Sequence, residues 1–175
     1  NSSKTDIMLG TSTLNVAKGA TLSGKGTLGN SSVTVATGGT IRSGITETNA
    51  GGNLKFSDKN LTVNGTIQTY ISTKSTFSKF TGIGKLTLNG TLAVRGKEGL
   101  ELAVGDELMI FDASEIVLGS NVVFDLCEPN KAMGYTWDTS RLNEGILVVG
   151  PAPDGIMSLK SDALRNAEIF SLQGV

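Results

Sequence analysis

Histidine is absent from the 175 residues, which removes the Ser-His-Asp and Cys-His constellations of nucleophilic catalysis together. The one cysteine, Cys127, has no partner for an internal disulfide. Zinc sites of nitrogen and sulfur type need several ligands that such a chain cannot easily supply. Aromatic residues make up only 5% of the chain and include a single tryptophan, Trp137, a thin supply for a glycan-binding face built from several rings. No apolar run approaches the eighteen or so residues of a membrane helix. The opening NSSKTDIMLG has neither the basic start nor the apolar core of a signal peptide.

Charge is nearly balanced, with fifteen basic and sixteen acidic residues, so composition makes no general case for nucleic acid or an anionic membrane as partner. The balance hides a division. Residues 1–99 hold eleven Lys/Arg and four Asp/Glu, residues 100–150 two and nine, and residues 151–175 two and three. Eighteen of the twenty threonines fall in the first zone and all three prolines at 129 or later. Two differently built zones and a short tail are expected, and the length suits one domain with an appendage.

The first zone repeats itself. LNVAKGATL starts at 14, VTVATGGTI at 33, LTVNGTI at 61 and LTLNGTL at 86, spaced by 19, 28 and 25 residues. Alternation of Leu, Val and Ile with Thr, Asn and Lys has the period of a strand, and the glycines mark turns. Repeats at this period indicate a solenoid whose units bury their apolar faces by stacking. The pattern predicts an all-β fold, a parallel β-helix with its coils in 1–99. Asn-Gly between alternating apolar residues is also the strongest short hairpin signal, so an antiparallel β-sandwich stands as the alternative.

Residues 100–150 break the repeat. They predict short, antiparallel-capable strands at 107–112, 115–118, 122–126, 135–137 and 145–149, forming a non-repeating cap over the apolar end of the solenoid. PAPDG at 151–155 reads as a linker. Strands near 156–160 and 167–172 make a short trailing hairpin of 156–175.

The succession GDELMIFDAS, IVLGSNVVFDL and GYTWDTSRLNEGILVV over 105–149 resembles the closing segment of the autotransporter-associated β-strand repeat family. The matching residues are Trp137, Asp138, Thr139, Ser140, Leu142, Gly145, Leu147 and Val149. Within 154–175, AEIFSLQGV resembles the start of the C-terminal sorting domain of the type IX (Por) secretion system, without that domain's last strands. Together these resemblances imply a β-helical stalk in a secreted or surface-exposed protein of a Gram-negative bacterium, and no catalytic residue is carried over from either family.

Trp137 is either a sugar platform or a core anchor, and the low aromatic content favours the anchor. The glycan-binding alternative assigns a groove to Trp137, Tyr135 and Tyr70, with Phe77 and Phe80 as further rings and a polysaccharide or cell-surface glycan as partner. Glu101, Asp106, Glu107, Asp112, Glu115, Asp125 and Glu128 could pair for glycosidase chemistry; solvated surface charge is the simpler reading. Lys55, Lys59, Lys74, Lys79 and Lys85 lack the neighbouring acids that a metal-dependent lyase site would need, and keep strand edges soluble. Asn30 and Asn60 sit in Asn-x-Ser/Thr triplets that read as turn and ladder residues. Cys127, beside the strand at 122–126, reads as a small core residue. The expectation is a structural protein with no enzyme activity, cofactor or metal, forming part of a longer chain and supporting an upstream adhesin or enzyme.

Overall fold

The computed structural model describes residues 13–29, 32–45 and 51–153. These residues are all-β apart from one 3-10 turn, Leu142–Glu144, and most strands lie in two long parallel sheets. The chain shuttles between the sheets. β1 (Leu14–Val16) enters the first, β2 (Thr21–Gly24) the second, and β3 (Gly26–Thr27) returns to the first. β4 (Val33–Val35) and β5 (Thr40–Ser43) repeat the step, then β6 (Asn53–Val63) and β7 (Thr66–Thr73). β8 (Thr76–Phe77) folds back on β7 as an antiparallel excursion before β9 (Lys79–Leu88) and β10 (Thr91–Gly96). β11 (Glu107–Met109) leaves both sheets, while β12 (Phe111–Leu118) and β13 (Val123–Leu126) rejoin them. β14 (Thr136–Asp138) and β15 (Ile146–Gly150) follow.

Strand order in the first sheet is β1-β4-β6-β9-β12, and in the second β2-β5-β7-β10-β13. Each pass of the chain therefore adds one strand to the same edge of both sheets. The four repeat starts fall in register: Leu14 pairs with Val33, Val33 with Leu61, and Leu61 with Leu86. Ile116 continues the ladder as a fifth rung. In the second sheet the matching ladder is Leu22, Ile41, Ile67, Leu92 and Phe124. Val33, Leu61, Leu86, Ile41, Ile67 and Leu92 are each at most 1% exposed, and burying side chains of this size stabilises by about 1.5–3 kcal/mol apiece. The threonines form the outer ladders, Thr34–Thr62–Thr87 and Thr21–Thr40–Thr66–Thr91.

The Asn-Gly pairs are corners between the sheets and not hairpin turns. Val63 and Thr66, on either side of Asn64-Gly65, pair with residues of neighbouring passes and not with each other. A type I′ hairpin needs positive φ at both central residues, and neither Asn64-Gly65 nor Asn89-Gly90 has it. Glycine serves close approach instead. A Cβ on Gly65 would lie 2.3 Å from the Gly39 carbonyl oxygen, and one on Gly90 would lie 2.0 Å from that of Gly65. The parallel pairing therefore speaks against the antiparallel sandwich.

The zone from 100 divides differently from expectation. β12 and β13 pair in parallel with β9 and β10, so 111–126 prolongs the sheets. An insertion between β10 and β12 had hidden the fifth pass by stretching its spacing. Only β11, β15 and β14 form an antiparallel sheet, in that order. Phe111 joins this small sheet to the main core. It stacks in register on Phe80, with ring centroids 6.0 Å apart, and belongs to one buried cluster with Leu108, Leu142, Leu147 and Val149. In the first sheet Ser57 and Asp58, at φ 48° and 62°, interrupt the register of β6 against β9. The expected hairpin of 156–175 and the end of the 151–155 linker lie outside the described residues.

Candidate functional site

Two clefts adjoin along the Cys127–Asn130 segment, just after β13. That segment is held by its backbone: the Cys127 N–H donates to the Val94 carbonyl at 2.9 Å, and the Leu102 N–H to the Pro129 carbonyl at 3.1 Å. The larger cleft, about 530 Å³, is lined among others by Lys97, Leu100, Glu101, Cys127, Glu128 and Lys131. The smaller, about 190 Å³, is lined by Leu126, Pro129, Tyr135, Thr136 and Trp137, and shares Cys127 and Glu128 with its neighbour.

Trp137 is half-buried. Its indole N–H donates to the Cys127 carbonyl at 2.7 Å, and its ring packs on the core cluster. It therefore ties β14 to the end of β13 while one side still borders the smaller cleft. Tyr135 borders the same cleft and is likewise partly buried. Tyr70 is 9% exposed in β7 and lines neither cleft. Phe77 and Phe80 are buried. Of the rings proposed for a groove, only Tyr135 and Trp137 share a surface.

Of the seven candidate carboxylates four meet cations, while Glu101 and Glu128 both line the larger cleft. Asp106 pairs with Lys74 at 2.5 Å, Glu115 with Lys85 at 2.7 Å, Glu107 with Arg141 at 2.6 Å, and Asp125 with Arg95. Asp112 accepts the Gly82 N–H at 3.4 Å. The Lys74 ammonium and the Ala103 N–H hold the Asp106 carboxyl below its ordinary range, and Arg95 does the same for Asp125. The Ser140 backbone N–H lowers that of Asp138 by closing a turn at 2.8 Å, so the Trp-Asp-Thr-Ser carboxylate is engaged locally. Lys79 lies 4.5 Å from the centre of the Phe77 ring.

Burial pushes the Cys127 thiol up to about 11, which leaves it a weak nucleophile near neutral pH. Among the described residues no group of three His, Cys, Asp or Glu side chains comes together to hold a metal, and no helix is long and apolar enough to cross a membrane. The arrangement offers shape and ring surface for binding, with Glu101 and Glu128 on the lining of the larger cleft. Glu101 and Glu128 stood among the candidate carboxylates, but the larger cleft that brings them together was not foreseen, because it forms only where 96–101 and 127–132 converge. Comparisons with protein-family models, characterised proteins and solved structures found no match.

Proposed function

We propose that the chain is a parallel β-solenoid that serves as a structural stalk in a secreted or surface protein of a Gram-negative bacterium, supporting an adhesin or enzyme elsewhere in a longer chain. The carrying observation is the pair of apolar ladders, Leu14 to Ile116 and Leu22 to Phe124, to which every pass of the chain contributes one rung. A rod grown by repeated steps suits a spacer, because each unit is stabilised by its neighbours and length is set by the number of units. The Trp-Asp-Thr-Ser resemblance and the similarity of the tail to a type IX sorting domain support the location.

Modularity is the test. Residues 64–88 make one full pass, since Asn89 follows the same ladder position as Asn64. Inserting a second copy of 64–88 after Leu88 should leave a cooperatively folded β-protein, longer by about 4.8 Å, with unchanged or raised melting temperature. Collapse or aggregation of that variant, with the parent folded, would refute the solenoid.

A second reading is favoured by Tyr135 and Trp137 bordering one open cleft: a small glycan-binding site near the end of the stalk. Binding on a glycan array, lost in Trp137→Ala while the fold persists, would support it. Turnover of a polysaccharide by the chain would overturn the expectation that it is no enzyme.

A further inference from the structure

The larger cleft lies between two walls, 96–101 and 127–132, that are fastened to the fold at both ends. At one end the Cys127 N–H donates to the Val94 carbonyl at 2.9 Å. At the other, Glu101 and Asn130 form an antiparallel bridge, and the Asn130 side-chain amide donates to the Leu102 carbonyl at 3.2 Å. Gly96 sets the depth, because a Cβ there would stand 3.0 Å from both the Cys127 Sγ and the Leu100 Cδ2. Leu100 is buried and Cys127 half-buried, whereas Lys97, Glu98, Glu101, Glu128 and Lys131 are exposed. The cleft thus has an apolar floor and a charged rim of both signs. Among the described residues none of these five charged side chains enters an ion pair, although Asp106, Glu107, Glu115 and Asp125 each do. Size separates the two clefts further. Small-ligand sites hold about 300–1,000 Å³; the larger cleft, at about 530 Å³, falls within that range, and the smaller, at about 190 Å³, falls below it.

We propose that the two clefts are one site for a neutral oligosaccharide of at least two pyranose units, with one ring against Tyr135 and Trp137 and the next in the larger cleft. The inference rests on the glycan reading of the Tyr135–Trp137 surface and extends it. Cys127 and Glu128 line both clefts, so a single ligand laid across Glu128 reaches the rings on one side and the deeper cleft on the other. The chemistry selects a neutral sugar. A hydroxyl both donates and accepts, so it serves carboxylates, which only accept, as well as ammoniums, which only donate. A uronic-acid chain would bring its carboxylates against Glu98, Glu101 and Glu128, and an amino-sugar chain its ammoniums against Lys97 and Lys131; like charges so placed select against the wrong partner. The C–H faces of the sugar find Leu100 and Cys127 in one cleft and aromatic rings in the other. Walls already fastened at both ends need little ordering on binding.

Isothermal titration calorimetry of the full chain tests this with one-, two- and three-unit members of three neutral series, β-1,4-glucan, β-1,4-mannan and α-1,4-glucan, and with di-galacturonate and di-glucosamine as charged controls. In one neutral series the two-unit sugar should bind about tenfold more tightly than the single unit, and Glu101→Ala and Glu128→Ala should each weaken it by about tenfold, as loss of a hydrogen bond to a charged group does. Both glutamates are exposed, so the circular dichroism melt should match the parent. Equal affinity for one and two units, lost in Trp137→Ala but untouched by Glu101→Ala and Glu128→Ala, overturns the two-cleft site and leaves the single-ring reading standing. Tighter binding of either charged control than of every neutral sugar overturns the ligand class. Absence of binding by every sugar overturns the single-ring reading as well. Should Trp137→Ala fail to fold, Tyr135→Ala takes its place.

Discussion

The Asn89 side-chain amide donates to the Asn64 side-chain oxygen across 2.9 Å, two residues 25 apart in sequence and one pass apart in space. Directly after each asparagine stands a glycine whose missing Cβ lets the two corners touch. The corner is thus stitched by a side-chain bond and permitted by an absent side chain, and the two contributions should differ in size. Asn89→Ala removes one exposed hydrogen bond and should cost about 1 kcal/mol. Gly90→Ala places a methyl group 2.0 Å from a carbonyl oxygen and should cost about 3 kcal/mol or more, as overpacking against backbone does. Urea unfolding of the two variants checks the ranking; equal losses would contradict the stacked corner.

Trp137 offers a second measurement, since the chain has one tryptophan and its fluorescence reports β14 alone. Trp137→Phe keeps an aromatic ring but gives up the bond to the Cys127 carbonyl, for a loss of about 1 kcal/mol. Trp137→Ala also empties its place against the core and should lose about 3 kcal/mol, the low end for a large aromatic because the ring is only half-buried. Two variants equal to the parent in stability would mean that Trp137 ties nothing together.

The Asp106–Lys74 pair joins the β7–β8 excursion to the turn before β11. Because the folded carboxyl is held below its unfolded value of about 3.9, its contribution is complete above that value and is lost as pH falls through the depressed folded value. The stability difference between the parent and Asp106→Asn should be widest near neutral pH and shrink in acid below about pH 4. A difference that persists unchanged into acid would show that the carboxylate charge is not what stabilises the turn.

Cys127 should be slow to react. With its thiol pushed up to about 11, labelling by a disulfide reagent at neutral pH should be far slower in the native chain than after unfolding in urea, and should accelerate as pH rises. Immediate native labelling would mean that the thiol is ionised and open.

Much of the architecture was legible in the residues. Positions 14, 33, 61 and 86 are ladder rungs, and their apolar-x-apolar triplets point the same side chains inward in every pass because strand geometry has a period of two. Trp137 beside the end of β13 was legible only as a choice between anchor and platform; it ties β14 to the end of β13 by its N–H while its ring borders a cleft. The Asn-Gly corners misled in part, since the same dipeptide serves a hairpin through positive φ and a stacked corner through close approach. Local sequence does not distinguish these uses, because the carbonyl that excludes a Cβ belongs to the neighbouring pass.

By itself, then, the sequence determined the strand period, the apolar rungs of the first four passes and the lack of histidine, all properties of residues close together along the chain; the turn it placed between 112 and 115 lies inside the strand Phe111–Leu118. Only the tertiary structure decided that 111–126 continues the sheets, that Tyr70 stands apart from Tyr135 and Trp137, and that Asp106, Glu107, Glu115 and Asp125 each find a base. Those facts depend on which edge pairs with which across spans of 25 or more residues. Pairing over such spans is set by the stacked whole, in which every pass supplies the surface that orders the next.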